Sequence, residues 1–174
     1  VDYIKADDFD GDYKIALHHG SVHNASTDAG FVLSNTHVTT NIFDGHDLVL
    51  LGDIHKPQYL NDEKTIAYAG SLIQQNHGEA LGHGIMVWDL DSKECEFVDI
   101  PNDYGYYTYY IENGKITNPS DKIPLRPRLR LKVKDTDSAT LKELVAKIKS
   151  KYKVQDISIQ KINALNTTDS KKKI

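Results

Sequence analysis

Apolar and polar positions along the chain predict a series of short strands in its first two thirds. Residues 48–51 are four consecutive apolar residues, which is typical of a strand covered on both faces. Shorter strands are predicted at residues 14–17 and 65–69. Residues 84–90 and 94–100 are separated by Asp-Ser-Lys, and they predict the two arms of a hairpin.

The pattern changes at a linker that is punctuated by prolines: Pro119, Pro124 and Pro127. Apolar and basic residues then alternate over residues 128–134, apolar residues recur at helical spacing over 141–152, and alternation returns over 154–162. Asp137 or Ser138 is the expected N-cap of the helix. These patterns predict a small strand-helix-strand domain after the linker.

The order of these elements indicates an α/β fold in two parts. We expect residues 1–118 to form the first domain and residues 125–162 the second. Residues 163–174 contain three consecutive lysines and are expected to be a disordered basic tail. A strand at 106–111 runs into Asn113-Gly114, which favours a type I′ turn.

Composition limits the classes of protein to consider. Hydrophobic residues make up 39% of the 174 positions, and the formal net charge is -4, so a nucleic-acid-binding surface would have to be local. The single cysteine, Cys95, excludes an internal disulfide framework and fits a reducing compartment. No apolar run is long enough to cross a membrane. We therefore expect a cytoplasmic protein, in the host cytoplasm if the source is a phage or virus, with the nucleus open if it is eukaryotic.

Two predicted strand ends carry side chains that bind metals. One strand ends at His18 and His19, and the other ends at Gly52, followed by Asp53 and His55. In an extended segment, residues i and i+2 point the same way, so Asp53 and His55 can face one point in space. Carboxylate plus imidazole suits manganese, iron or zinc. The spacing also occurs by chance, so a turn-forming or capping role for these residues stays open.

Three blocks of sequence occur in order, at residues 16–22 (ALHHGSV), 50–58 (LLGDIHKPQ) and 66–79 (IAYAGSLIQQNHGE). An apolar strand that ends in Trp88-Asp89 follows them. Together they resemble the late motifs of calcineurin-like metallophosphoesterases of the SbcD type, which are DNA-repair exonucleases, in the forms carried by phages and large DNA viruses. The resemblance extends over residues 13–100.

The resemblance implies the C-terminal half of a phosphoesterase β-sandwich, followed by a small cap. It also implies a hydrolase that cleaves phosphodiesters at DNA ends with two divalent metal ions, manganese being the expected metal. His19, Asp53 and His55 would be metal ligands, with His18 as the alternative to His19 if the register shifts by one residue. The implied partners are DNA and an SbcC-like ATPase, and a homodimer fits the longer form of the family.

The sequence also departs from the family. The family's early Asp-x-His, Gly-Asp and Gly-Asn-His motifs do not occur in order ahead of the three matched blocks, so no catalytic residue is assigned. We expect this chain alone to bind metal weakly or partially and to hydrolyse little. Two other functions stay open: a non-catalytic module that binds DNA or docks the ATPase, and a phosphoesterase that acts on a small phosphodiester.

A row of cations is a second candidate site, this time for nucleic acid. Five basic residues occupy every second position of one predicted strand: Arg126, Arg128, Arg130, Lys132 and Lys134. Such a row can follow a phosphate backbone, or it can be a solvated face that discourages edge aggregation. Tyrosines between residues 104 and 110 favour a half-buried strand over base stacking.

Four histidines are expected at the surface: His23, His37, His46 and His83. His77 is expected at the surface or near substrate.

Overall fold

The computed structural model describes residues 3–162, and the chain divides into two compact units, Val1–Pro101 and Asn102–Ile174. Over these residues, mixed sheets and one α-helix form an α/β fold, as predicted. The predicted basic tail at 163–174 lies outside the described residues. Within the described part of the chain, no helix has the length and apolar character needed to cross a membrane.

The first unit contains a four-stranded sheet and a separate hairpin. The sheet has the order β1-β2-β4-β3, with β1 (Ile15–His19), β2 (Leu48–Gly52), β3 (Gln58–Tyr59) and β4 (Ile66–Tyr68). Strands β1, β2 and β4 are parallel, and β3 is antiparallel to β4. The hairpin pairs β5 (Gly84–Trp88) with β6 (Cys95–Asp99). The strands predicted from the apolar runs and the predicted hairpin are therefore confirmed.

The core of the first unit lies on the sheet and under the loops that follow its strands. Strand β2 lies between β1 and β4, and its apolar run is covered on both faces, with Leu48, Val49 and Leu51 buried and Leu50 half-buried. Buried side chains from the sheet and the loops form one cluster: Val22, Ala25, Phe43, Val49, Leu51 and Tyr68. Strand β1 lies at the edge of the described sheet, and Leu17 in it is 79% exposed.

The second unit contains a sheet of order β10-β9-β7-β8 and one helix. Its elements are β7 (Tyr104–Glu112), β8 (Lys115–Ile116), β9 (Arg126–Lys134), α1 (Ser138–Lys151) and β10 (Asp156–Lys161). Strand β7 pairs with β9 in parallel along the full length of both strands. Because this pairing joins β7 to the second sheet, the units divide after Pro101, earlier than the expected boundary at 118–125.

Local sequence signals set the ends of these elements. Asp137 accepts hydrogen bonds from the backbone N–H groups of Ala139 and Thr140, which confirms it as the N-cap of α1. Asn113 and Gly114 both have positive φ between β7 and β8, as a type I′ turn requires. The helix packs against the inner face of the sheet. Its Ile148 forms a buried core with inward-facing residues of the strands: Tyr109, Ile111, Leu129, Leu131 and Val133.

Candidate functional site

The two predicted ligand-bearing loops lie side by side. Strands β1 and β2 are parallel and His19 is in register with Gly52, so both strands end at the same edge of the sheet. Beyond that edge, the Gly20 N–H donates to the Gly52 carbonyl oxygen at 3.2 Å. The Ser21 hydroxyl donates to the Asp53 carboxylate at 3.1 Å. The first and second motifs are therefore in direct contact.

His18 and His19 lie in different surroundings, as neighbouring residues of a strand should. The ring of His19 covers Gly52, and a Cβ placed on that glycine would lie 2.9 Å from the His19 Cδ2 atom. The ring of His18 packs edge-on against Phe43, with the centroids 5.6 Å apart, and its buried Nε2 has no hydrogen-bond partner. Of the two histidines, His19 is thus the one that lies against the Gly52–Asp53 turn.

A buried tyrosine fixes the loop that directly follows β1, residues 20–22, which we call the histidine loop. Tyr68, which is 0% exposed, donates its hydroxyl proton to the Gly20 carbonyl oxygen at 2.6 Å and accepts from the Val22 N–H at 2.9 Å. Burial raises the pKa of the Tyr68 phenol, the Val22 hydrogen bond opposes that rise, and the negative charge of Asp53 adds to it. The phenol therefore stays neutral and holds both backbone groups of the loop.

Asp53 has an unusual backbone conformation. Its φ is 100°, in the region that glycine adopts freely and that side chains with a Cβ rarely adopt. Non-glycine residues in such conformations cost about 1–3 kcal/mol and cluster at functional sites. Strain at Asp53 is therefore consistent with a site that needs a carboxylate at this turn.

We expect Asp53→Gly to be more stable than Asp53→Ala by about 1 kcal/mol. Both substitutions remove the carboxylate and its hydrogen bond from Ser21, but only alanine keeps a Cβ at φ 100°. Denaturant unfolding followed by Trp88 fluorescence reports on the first unit, because this is the only tryptophan of the chain. Equal stability of the two variants would show that the turn is not strained.

His55 is held by a carboxylate that the sequence did not single out as a site residue. Its Nδ1 lies 2.9 Å from Glu79 Oε1, and the Glu79 side chain is only 7% exposed. Two donors fix that carboxylate in turn: the Gln75 N–H at 2.6 Å and the Asn76 side-chain amide at 2.5 Å. Because an ionised carboxylate only accepts, this contact favours the tautomer of a neutral His55 ring with the proton on Nδ1 and a lone pair on Nε2.

The third motif packs against the same loop. The Ser71 N–H donates to the His55 carbonyl oxygen at 3.1 Å. Gly70 has a φ of +80°, and a Cβ there would lie 2.6 Å from that same oxygen, so this close approach requires glycine. All three motifs thus contact one another in a chain from the end of β1, through the end of β2, to the segment after β4.

His83 corrects one expectation. It was expected at the surface, but it is 4% exposed, with Nδ1 2.8 Å from the Ser71 carbonyl oxygen and Nε2 3.0 Å from that of Ala80. Its burial is explained by polar partners within the loop, namely these two carbonyl oxygens and the Ser71 hydroxyl, which lies 3.1 Å from Nδ1. His83 therefore supports the loop that carries Glu79.

A cavity of about 290 Å³ opens beside these loops, lined by Asp53, His55, Lys56, Glu79 and residues 27–29 among others. Imidazole nitrogens and carboxylate oxygens of this kind suit a manganese, iron or zinc ion. Among residues 3–162, however, no three histidine, cysteine, aspartate or glutamate groups lie close enough together to hold a metal. The predicted ligands share a sheet edge without forming a three-ligand group of their own.

The predicted nucleic-acid row lies in the second unit. The five cations occupy alternate positions of β9, and the positions between them are buried: Pro127, Leu129, Leu131 and Val133. The cations therefore share the face opposite the core. The tyrosines of β7 divide in the same way, with Tyr107 and Tyr109 on the core side and the others on the side of the cations. Strand β7 is therefore half-buried, as expected, with Tyr107 and Tyr109 on its buried face.

Comparison with known proteins gives one relative and no family assignment. No protein-family model matches the chain. A protein of Acanthamoeba polyphaga mimivirus, described as "Uncharacterized protein R555", is 44% identical over 164 residues, and the match covers 92% of this chain. The chain spans 12% of the length of that relative. The chain is thus similar to one segment of a much longer protein from a virus.

Proposed function

We propose that this chain is part of the catalytic region of a metal-dependent DNA-repair nuclease of the SbcD-like metallophosphoesterase type. In this proposal, the first unit corresponds to the C-terminal part of the phosphoesterase sandwich and the second unit to its cap. The observation that carries the proposal is the convergence of three motif loops at one sheet edge, where the Glu79 carboxylate lies 2.9 Å from Nδ1 of His55. Metal-binding histidines commonly donate their other ring N–H to a carboxylate in this way.

The side chains at this edge have distinct roles in the proposal. His55 would present Nε2, Asp53 a carboxylate held by the Ser21 hydroxyl, and His19 its imidazole from the neighbouring strand end. Lys56 lines the same cavity, and its ammonium group would attract a phosphodiester. Divalent ions bound here would supply an activated water and charge stabilisation at phosphorus. The remaining ligands and the proton donor would come from residues outside this chain.

Manganese binding tests the proposal directly. We expect the wild-type chain to bind Mn²⁺ weakly, and the double variant Asp53→Asn, His55→Ala to bind at least about tenfold more weakly, since it loses both oxygen charge and imidazole. Titration followed by the electron paramagnetic resonance signal of free Mn²⁺ measures both affinities. His37→Ala, at an exposed histidine of the first unit outside these loops, serves as the control.

Two outcomes would contradict the proposal or its present form. Identical manganese affinities for the wild type and the double variant would remove the metal site. Robust manganese-dependent nuclease activity of the 174-residue chain alone would contradict the expectation that it supplies only part of the centre. A longer protein containing this chain is the material in which we expect cleavage of DNA ends, and His55→Ala should abolish that cleavage there.

A second candidate function is a non-catalytic module that binds nucleic acid. The observation that favours it is the shared outer face of cations and tyrosines on the second sheet. Docking of an SbcC-like ATPase and action on a small phosphodiester stay predictions from the sequence.

A further inference from the structure

Tyrosines and cations form matched rows on the outer face of the second sheet. In the parallel pairing of β7 and β9, each tyrosine of this face is in register with a cation: Tyr104 with Arg126, Tyr106 with Arg128, and Tyr110 with Lys132. We call these six residues the tyrosine–cation face. Residues on one face of a sheet recur every second position, and Thr108 with Arg130 occupies the position of this face between the second and third pairs.

The cations of this face lie over the rings of their partners. The Arg126 guanidinium carbon lies 5.3 Å from the Tyr104 ring centroid, and that of Arg128 lies 5.6 Å from the Tyr106 centroid. Both arginines also donate to the phenol oxygen of their partner, at 2.6 Å and 3.0 Å. These cation–π contacts hold the rings and the positive charges in one fixed arrangement.

Exposure and charge make this face unlike an ordinary sheet surface. Tyr104 is 51% exposed and Tyr110 is 44% exposed, although both are large aromatic residues. The row of five cations on β9 faces only two carboxylates from the neighbouring strands: Glu112, which binds Lys134, and Asp156, which is in register with Arg128. A chain with a net charge of -4 therefore concentrates positive charge and exposed aromatic rings in one place.

We propose that the tyrosine–cation face binds single-stranded nucleic acid, with bases stacked on the tyrosine rings and phosphates held by Arg126, Arg128 and Lys132. Tyr104 and Tyr106 are alternate residues of β7 and therefore about 6.6 Å apart, roughly twice the 3.4 Å rise per base of a stacked duplex strand, and Tyr110 lies two such steps beyond Tyr106. The spacing suits an extended strand whose bases are separated and free to stack on protein rings. Bases inside a duplex are not available for such stacking, so a single strand is the matching ligand.

This inference deepens the nucleic-acid side of the proposed function, but it does not need the metal site. The whole experiment is performed with the 174-residue chain in excess EDTA, so that neither metal binding nor cleavage contributes. The probe is a fluorescein-labelled oligothymidylate of about 15 nucleotides, a length within the range that sheet platforms cover. Fluorescence anisotropy measures its binding to the wild type and to each variant.

Removing one ring should weaken binding strongly, whereas keeping the ring should not. We expect Tyr110→Leu to lose roughly tenfold in affinity, and Tyr110→Phe to bind the oligonucleotide like the wild type. Arg128→Gln should lower the slope of log K against log salt by about 0.7, because one phosphate contact is lost. Lys147→Gln, on the exposed surface of α1, is the matched charge control and should leave the slope unchanged.

Three results would overturn the inference. The first is equal affinity of Tyr110→Leu and the wild type, which would remove stacking. The second is a duplex of the same length that binds as tightly as the single strand. The third is absence of binding by the wild type at low salt. Circular dichroism of each variant establishes that it folds, and the conservative Tyr110→Phe variant distinguishes loss of the ring from loss of structure.

Discussion

Glu79→Gln is expected to weaken Mn²⁺ binding to the chain by about 10- to 100-fold, although Glu79 is not among the proposed ligands. The carboxylate accepts the Nδ1 proton of His55 at 2.9 Å and thereby keeps Nε2 free for a metal. An amide at this position can instead donate to Nδ1, which moves the ring proton to Nε2 and blocks the metal-binding nitrogen. The same titration of free Mn²⁺ measures the effect.

The tautomer of His55 gives a test that requires no metal. Nitrogen-15 chemical shifts of the imidazole distinguish a ring protonated at Nδ1 from one protonated at Nε2. We expect the neutral ring of the wild type to carry the proton on Nδ1, and Glu79→Gln to shift the population towards Nε2. A variant that disturbs the loop but keeps the Glu79 carboxylate against His55 should leave the wild-type tautomer unchanged.

The control for this prediction is a variant that disturbs the same loop without touching His55. Gln75 contributes to the Glu79 pocket only through its backbone N–H, so Gln75→Ala keeps that hydrogen bond. It should therefore bind Mn²⁺ like the wild type. Unchanged manganese affinity and an unchanged tautomer in Glu79→Gln would together contradict a positioning role for this carboxylate.

Local patterns were sufficient to predict much of the fold. The apolar run in β2 predicts a strand buried on both faces, and Leu48 and Val49, which point to opposite faces, are both buried. Asp137 and the Asn113-Gly114 turn were predictable for the same reason, since capping and turn formation depend on a few consecutive residues. The alternation in β9 likewise predicted which residues share a face.

Contacts between distant residues were not predictable in this way. His55 and Glu79 are 24 positions apart, and nothing in their local sequence indicates that one binds the other. The division after Pro101 depends on the pairing of β7 with β9 across a linker, whereas the prolines only mark the linker itself. His83 was expected at the surface because its burial depends on carbonyl groups that the folded loop brings to it.

Tyr68→Phe is expected to destabilise the first unit by about 2–4 kcal/mol, a large loss for the removal of one oxygen atom. Without the hydroxyl, the Gly20 carbonyl and the buried Val22 N–H both lose their partner, and each unsatisfied buried group costs about 1–3 kcal/mol. Denaturant unfolding followed by Trp88 fluorescence measures this loss in the unit that contains the site. The histidine loop should loosen with it.

Tyr59→Phe is the matched control for this loss, because it removes the same atom from another tyrosine of the first unit. The Tyr59 hydroxyl donates only to the Cys95 sulfur at 3.2 Å, and thiols are weak acceptors, so we expect a loss below about 1 kcal/mol. Similar losses in both variants would contradict the role of Tyr68, since any phenol would then matter equally. A large loss confined to Tyr68→Phe would instead identify its hydroxyl as the group that joins the sheet to the histidine loop. The proposed metal site depends on the position of that loop.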